Sequence, residues 1–340
     1  MAREMMFAEA IATAIAEEMH RDPNVIFYGQ NMAMTDRDSF VKKFGKSRVR
    51  ITPISETAEL GIAAGAALTG LRPIVELYMT EFMLVAFDQV INEAPRLRYM
   101  SGGQVKVPVV FKAGFGFAAG WAGQHSNCIY HTMMGIPGLK VAIPSTSADA
   151  KGLMVAAIRD DNPVVYLHHY MLTLEKGEVP EGEYVIPFGL ADVKRPGTDV
   201  TLVATAWMVK KSLAAAEMLA KEGISAEVID PRTLAPLDVK TIVDSVKKTG
   251  RLVLVDQAPR HSSAAVVIAG EVAEQGFKYL KAPVKMVTAL DTSIPYSEPM
   301  ESYVLPSEEK IVHGVKSVLA MHVAAVYRNP KQQRSESRRF

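Results

Sequence analysis

Two carboxylates, Glu56 and Glu59, stand three residues apart at the head of "TPISETAELGIAAG" (52–65), a segment otherwise apolar and rich in Ala and Gly. A surface helix would carry more charge along its outer side, and a fully buried one would carry none here. In a first helical turn a carboxylate is favoured by the helix dipole, and Ser55 stands before it as a cap. A carboxyl group at the mouth of a dry segment can also do proton chemistry, because desolvation raises its pKa and lets it hold a proton. The residues of this segment are compatible with both roles. "QHSNC" (124–128) gathers a histidine, a serine and a cysteine, but closeness along the chain does not make a triad. His168 and His169 end an apolar run, and neighbours on a strand point to opposite faces, which argues against joint metal ligation. No G-x-G-x-x-G follows a strand, and neither a Walker A sequence nor a G-x-S-x-G elbow occurs.

The elements that must position these groups alternate. "NVIFYGQ", "RVRITPIS", "RPIVELYM", "VPVVFKAG", "LKVAIPS" and "PVVYLHH" read as strands. Between them "FAEAIATAIAEEMHRD", "ETAELGIAAGAALTG", "FMLVAFDQVINEAPRLRYM" and "SADAKGLMVAAIRDD" place apolar residues at three- and four-residue spacing and read as helices. That alternation predicts an α/β fold with a mainly parallel sheet flanked by helices. The rhythm breaks at "EKGEVPEGEYVIPFGLADVKRPG", rich in Pro, Gly and charge, which reads as a linker with one short hairpin. A second run of alternating strands and helices follows, from "DVTLVATAW" to "SEEKIVHGVKSVLAMH". The expected division is a first domain over 1–175, a linker over 176–197, a second domain over 198–322 and a polar, basic, disordered tail over 323–340.

Composition narrows the function classes. The 340 residues are 49% hydrophobic and 22% charged, with a formal net charge of +1. This is an ordinary globular balance, with no electrostatic case for nucleic acid or an anionic membrane as partner. The single cysteine, Cys128, excludes an intramolecular disulfide and a multi-cysteine metal site, and it fits a reducing, cytoplasmic setting. No long apolar run precedes Glu9, so a secretory signal is not expected. The stretch from Ala113 to Leu139 lacks Asp, Glu, Lys and Arg, but its Gln124, His125, Ser126, Asn127, His131, glycines and Pro137 make it a buried or ligand-lining loop region rather than a membrane span.

"TPISETAELGIAAGAALTGLRPIVE", "FDQVINEAPRLRYMSGG", "QHSN", "PGLKVAIPSTSADAKGLMVAAIRDDNPVV" and "AEVIDPRTLAPLD" occur in that order. Together they resemble the β subunits of thiamine-diphosphate-dependent 2-oxo acid dehydrogenases, a group that includes pyruvate, branched-chain and acetoin dehydrogenases. The resemblance runs from about Met5 to Leu319. It implies a pyrimidine-binding domain followed by a transketolase C-terminal-like domain. It also implies an oxidoreductase acting on 2-oxo acids or acetoin, with acyl transfer to lipoamide.

The resemblance assigns roles to particular residues. Glu56 matches the carboxyl that bonds the ring nitrogen of the cofactor's aminopyrimidine, where a proton favours the imino form that activates the thiazolium carbon. Phe82 matches the aromatic that stacks on that ring. His125 matches an active-site histidine in a glycine-flanked loop, able to stabilise substrate charge or pass a proton. Val109, Ala157, Ile158, Asp160 and Asn162 match positions that hold a structural potassium ion. Unpaired carbonyls at a helix C-terminus make a cation there physically reasonable. Glu59 is left with a structural role, and His131, His261 and His313 are treated as ordinary residues.

The family's diphosphate site, a "G-D-G" followed some two dozen residues later by Asn, has no counterpart in this chain. The resemblance therefore implies an α subunit that supplies the diphosphate and magnesium sites in an α2β2 heterotetramer, and a dihydrolipoyl acyltransferase core docked by the second domain. Four features depart from the common pattern. Val85 stands where some relatives carry a polar residue, Lys112 where Arg is usual, His168 where Glu is common, and "DQAPRHSS" where the pattern is richer in Gly. Two other functions are carried alongside. A split transketolase-like ketol transferase would use Glu56 and Phe82 in the same way, but its usual "DG-x-T-H" is absent before His125, where "AGWAGQHSN" stands. A non-catalytic scaffold would have no need of Glu56, Phe82 and His125.

Overall fold

The computed structural model describes residues 2–30, 37–116 and 118–321. The tail expected over 323–340 lies outside the described residues. The chain runs through β1 (Ala2–Met6), α1 (Phe7–Arg21), β2 (Val25–Gly29), α2 (Arg37–Phe44), β3 (Val49–Ile51), α3 (Glu56–Leu68) and β4 (Arg72–Met79). It continues through α4 (Ala94–Met100), β5 (Val110–Phe115), α5 (Tyr130–Met134), β6 (Lys140–Ala142), α6 (Ser147–Arg159) and β7 (Val164–His169). After β8 (Lys176–Pro180) and β9 (Asp192–Arg195) come β10 (Val200–Ala204), α7 (Trp207–Ala220), β11 (Ala226–Asp230) and β12 (Thr233–Ala235). The described chain ends with α8 (Val239–Thr249), β13 (Leu252–Pro259), α9 (Ala264–Gly276), β14 (Lys285–Ala289), α10 (Glu298–Val304) and α11 (Glu308–Ala320).

Among the described residues two large sheets result, as the alternating pattern predicts, beside a small antiparallel pair of β1 and β8. A seven-stranded sheet has the order β12-β6-β7-β5-β4-β2-β3, and a five-stranded sheet the order β14-β13-β10-β11-β9. Neighbours are parallel throughout, except that β12 runs antiparallel to β6 and β9 antiparallel to β11. The central strands β5 and β7 are buried at every position, so their sequences read as mostly apolar runs rather than alternating ones, with Lys112, His168 and His169 as buried exceptions. Helix α1 buries Phe7, Ala10, Ile11, Ala14, Ile15 and Met19 along one stripe and packs on α6. Where these helices meet, Arg159 Nη2 donates to buried Glu18 Oε1 at 2.6 Å.

Three regions depart from the sequence reading. The helix expected through residues 82–100 is instead a 3-10 segment, Thr80–Ala86, a π-type segment, Asp88–Glu93, and only then α4. Pro95, in the first turn of α4, offers no N–H, and the Ala94 N–H reaches back five residues to the Gln89 carbonyl, which widens the turn. No hairpin forms within the segment read as a linker. Strand β8 pairs with β1, and β9 extends the five-stranded sheet, because each finds an unpaired edge elsewhere. Strand β12, whose three residues are too short to show a period, leaves its own half of the chain to pair with β6. The adjacent Ile143 N–H donates to the Arg232 carbonyl at 2.8 Å.

Candidate active site

In the first sheet β3, β4, β5 and β7 run the same way, so the segments that leave their C-terminal ends meet along one edge. Open parallel sheets bind ligands at this edge. Glu56 follows β3, Phe82 follows β4, and His125 lies in the loop after β5. The three residues singled out by the sequence thus come to the same edge of the sheet.

Helix α3 begins at Glu56. Ser55 occupies the cap position, but its side chain makes no capping bond. Glu56 is half-buried, and its carboxylate has no hydrogen-bond partner among the described residues. Glu59, one turn on, is the carboxylate shut away from solvent. It accepts from Gln30 Nε2 at 2.8 Å and from Thr52 Oγ1, while Tyr28 donates to its backbone carbonyl at 2.9 Å. Burial pushes the Glu59 pKa up against those two side-chain bonds, and the neighbouring Glu56 charge pushes the same way. Glu59 therefore ties α3 to the end of β2 and leaves Glu56 uncommitted at the helix mouth. Thr57 Oγ1 donates to the Val85 carbonyl at 2.9 Å, which fastens the first turn of α3 to the segment that carries Phe82.

Phe82 and His125 are in contact, with ring centroids 5.8 Å apart and planes at 88°. Trp121 flanks the same imidazole at 6.1 Å and lies 6.4 Å from Tyr78. Glu81, next to Phe82, is a site residue that the sequence reading misses. Its carboxylate is buried, accepts the Asn127 N–H at 2.7 Å and the Thr80 hydroxyl at 3.1 Å, and so pins the His125 loop to the Phe82 segment. Burial raises the Glu81 pKa, opposed first by its backbone hydrogen bonds and more weakly by the Thr80 hydroxyl and the nearby His125. The one signal in the sequence is an acid inside the apolar run "MTEFMLVAF".

Beneath the edge lies a second polar layer. Lys112 and Glu76 form a buried ion pair across β5 and β4, and burial drives the Glu76 pKa up while Lys112 opposes it. His168 is fully buried, and neither of its ring nitrogens has a partner among the described residues. Burial, with the Lys112 charge, pushes its pKa well below the usual value. His169 faces the other way. Its Nδ1 accepts the Met171 N–H at 3.1 Å and its Nε2 lies 2.7 Å from Gln257 Oε1, which sets a neutral ring with the proton on Nε2. Burial lowers the His169 pKa to about 4.

The five positions matched to a potassium site lie at the opposite edge, where α6 ends and β5 and β7 begin. Arg72 Nη1 donates to the carbonyls of Ile158 and Asp160 at 2.9 and 3.0 Å. The Val109 carbonyl accepts from the Val164 N–H at 2.9 Å, and the Ala157 carbonyl from the Asp160 N–H at 3.4 Å. Lys140 pairs with the Asp160 carboxylate, and Asn162 Oδ1 accepts from Arg98 at 2.7 Å. Positive charge from Arg72 and Lys140 thus already sits on the Ile158 and Asp160 oxygens, and although each carbonyl keeps a second lone pair, a further cation there would have to share those oxygens with Arg72. For thiamine diphosphate, an unpartnered half-buried carboxylate at the mouth of α3 and a partly open aromatic face on the segment fastened to it through Thr57 and Val85 are groups of the kind an aminopyrimidine ring needs. Among the described residues no group of three or more His, Cys, Asp or Glu stands as a metal-ligand set.

The pyrimidine-binding domain of transketolase matches residues 3–173, and the C-terminal domain of transketolase matches residues 189–311. The chain is 44% identical over 335 residues to the acetoin:2,6-dichlorophenolindophenol oxidoreductase subunit beta of Cupriavidus necator, covering 94% of this chain and 98% of that protein. It is 43% identical over 329 residues to the Bacillus subtilis protein of the same name, covering 92% and 96%. It is 43% identical over 315 residues to the pyruvate dehydrogenase E1 component subunit beta of Rickettsia conorii, covering 91% and 97%. Among solved structures, a split gene transketolase described as an inactive β4 tetramer superposes with a TM-score of 0.76 at 24% identity, over 94% of this chain and 99% of that one. At that identity the likeness is one of fold.

Proposed function

We propose a function from one premise: the chain belongs to the transketolase-like family that contains the β subunits of acetoin and pyruvate dehydrogenases. It acts as the β subunit of a thiamine-diphosphate-dependent dehydrogenase of 2-oxo acids or acetoin, with an active site shared with an α subunit. The observation that carries this reading is that the segments bearing Glu56, Phe82 and His125 all leave the C-terminal edge of one parallel sheet, with Phe82 and His125 in ring contact.

The cofactor, once bound, would supply a nucleophilic carbon and an electron sink for breaking the bond beside a carbonyl. This chain's residues then have separate tasks. Glu56 holds a proton at the pyrimidine ring nitrogen, and its lack of another partner leaves it available to do so. Phe82 supplies the stacking face. His125 supports charge on the substrate oxygen and moves a proton during acyl transfer to lipoamide. The diphosphate and magnesium sites belong to the α subunit, since the chain has no "G-D-G" segment of its own. The assembly is α2β2, the second domain docks a dihydrolipoyl acyltransferase core, and the setting is the cytoplasm. The domain division falls within 176–197, and a potassium ion sits beside Arg72 at Val109, Ala157, Ile158, Asp160 and Asn162.

The test is reconstitution with its α subunit, thiamine diphosphate, magnesium and an artificial electron acceptor, against 2-oxo acids, acetoin and ketose phosphates. Dye reduction with a 2-oxo acid or acetoin, lost in Glu56→Gln, is the expected result. Turnover of ketose phosphates alone would move the chain to ketol transfer. Full activity without this chain would make it a scaffold.

A further inference from the structure

The loop that carries His125 belongs to the first domain by sequence, yet much of what holds it comes from the second. At its start, Gln257 Nε2 donates to the Gly116 carbonyl at 3.2 Å. Gly116 has φ of +68°, and a Cβ there would strike the His169 ring, which Gln257 also holds. Just beyond the loop, the Tyr130 hydroxyl donates to Asp256 Oδ1. The Asp256 carboxylate is itself fixed by Ser263 Oγ at 2.7 Å and the Ala264 N–H at 2.8 Å. Both anchors thus come from β13.

Between these anchors, besides the Asn127–Glu81 bond within the first domain, the loop has a third attachment to the second. The Gly120 N–H donates to Glu301 Oε2 at 3.3 Å, across 181 residues of chain. Glu301 lies in α10, is 5% exposed, and its other oxygen, Oε1, is buried without a partner among the described residues. The approach is close all along this stretch. A Cβ on Gly120, at φ of +73°, would stand 3.4 Å from the Tyr296 carbonyl, and one on Gly123 would stand 3.3 Å from Ser293 Cβ. Beside the contact opens a cleft of about 690 Å³, lined by Gly120, Trp207, Met208, Lys211, Tyr296 and Glu301 among others. With this space beside it the loop is not wedged in place by packing alone, so its path depends on directed contacts. A backbone free to choose among conformations loses entropy when it is fixed, and the Glu301 contact, though long at 3.3 Å, is a directed bond to a buried carboxylate that helps offset that loss.

We propose that Glu301 is a positioning residue: by holding the Gly120 N–H from the second domain, it sets where His125 stands against Phe82. The proposal deepens the function given above and rests on His125 acting in the reaction. It gives the second domain a part in the chemistry of a site to which it contributes no reacting group. His125 is the group that touches substrate, and Glu301 acts through it.

The experiment uses the reconstituted α–β assembly. Its first readout is kinetic. Glu301→Ala lowers kcat on the order of tenfold, the weight of one hydrogen bond to a charged group, with the affinity for thiamine diphosphate unchanged. Glu301→Gln, which keeps an acceptor oxygen, restores most of the loss. Adding Glu301→Ala to His125→Ala brings no further loss. The second readout reports on the loop itself. Trp121 and Trp207 are the only tryptophans, so in a Trp207→Phe background Trp121 alone reports the loop. Glu301→Ala then makes Trp121 more open to acrylamide quenching. Should Glu301→Ala fail to assemble, Glu301→Asp, which withdraws the acceptor by one methylene, must show the same pattern. Unchanged kcat together with unchanged quenching overturns the proposal, as does equal loss in the Gln and Ala variants. A His125→Ala assembly with normal rates would overturn the role of His125, while the quenching result would still decide whether Glu301 holds the loop.

Discussion

The rings of Phe82 and His125 meet almost at right angles, at 88° with 5.8 Å between centroids. Such edge-to-face pairs contribute about 0.5–1.5 kcal/mol beyond the area they bury. On the proposed function Phe82 would therefore have two duties, as a stacking face and as the neighbour that orients the imidazole. Phe82→Ala should weaken thiamine diphosphate binding by about tenfold, roughly the upper end of that range, and lower kcat as well. Activity titrated against cofactor concentration checks both, and unchanged affinity would remove Phe82 from the cofactor's surroundings.

Glu56 and Glu59 are predicted to fail in different ways. Glu56→Gln should cut kcat by about 10²–10⁴, the range for loss of a positioned proton donor or acceptor. Its melting temperature should hardly move, because no described side chain depends on it. Glu59→Gln places an amide where Gln30 Nε2 and Thr52 Oγ1 now find acceptors, and should lower stability by about 1–3 kcal/mol. Thermal melts beside kinetics for the two variants separate the roles. A stable but inactive Glu59→Gln beside an active Glu56→Gln would exchange them.

His169 should leave a mark on the acid side of the stability curve. Its pKa is about 4 in the fold against the ordinary 6.5, so between these values the unfolded chain takes up a proton that the folded chain refuses. Stability then falls as pH drops through that window, by up to about 3 kcal/mol for a difference of about 2.5 pH units. Asp230, pushed up to about 7 by burial, works the other way: its contribution is present at low pH and is lost as pH rises towards 7. A difference measurement isolates the histidine. Urea unfolding of wild type and His169→Gln at pH 5 and pH 7 should show a smaller acid loss in the variant. Equal losses would rule out a buried neutral His169.

Potassium should stabilise the protein through the carbonyls beside Arg72. A site filled at a hundred times its dissociation constant adds about 2.7 kcal/mol. Exchanging sodium for potassium should therefore raise the melting temperature of the assembly. The increment should grow in Arg72→Met, which releases the Ile158 and Asp160 oxygens. No potassium effect in either protein would count against the ion.

Much of the architecture is legible because β4, β5 and β7 are covered on both faces, and double burial writes itself as short runs rich in Val, Ile, Phe and Tyr, interrupted where Glu76, Lys112, His168 and His169 are buried in polar contacts or alone. The segment after Phe82 reads falsely as one helix, since apolar spacing does not register where a proline forces the upstream turn to widen. Phe82 and His125 carry no local pattern and are reached through resemblance alone. Glu59 reads as structural, but its hydrogen-bond donor Gln30 lies 29 residues away. Glu81 and Glu301 escape notice for the same reason. Their partners Asn127 and Gly120 lie 46 and 181 residues distant, and only the folded path of the loop brings them together.

Strand β12 has a consequence for anyone who would recombine this chain with its relatives. Leu234 is buried in the core of the first domain, Thr233 pairs with Ala142 of β6, and Thr233 Oγ1 accepts the Gly189 N–H at 3.0 Å. A chimera joined within 176–197 would thus import three residues of foreign strand into the host's sheet. If they did not match, the edge of β6 would stand bare, an invitation to intermolecular strand pairing. The point of exchange that preserves both lobes must carry β12 with the sheet it completes, not with the residues it follows.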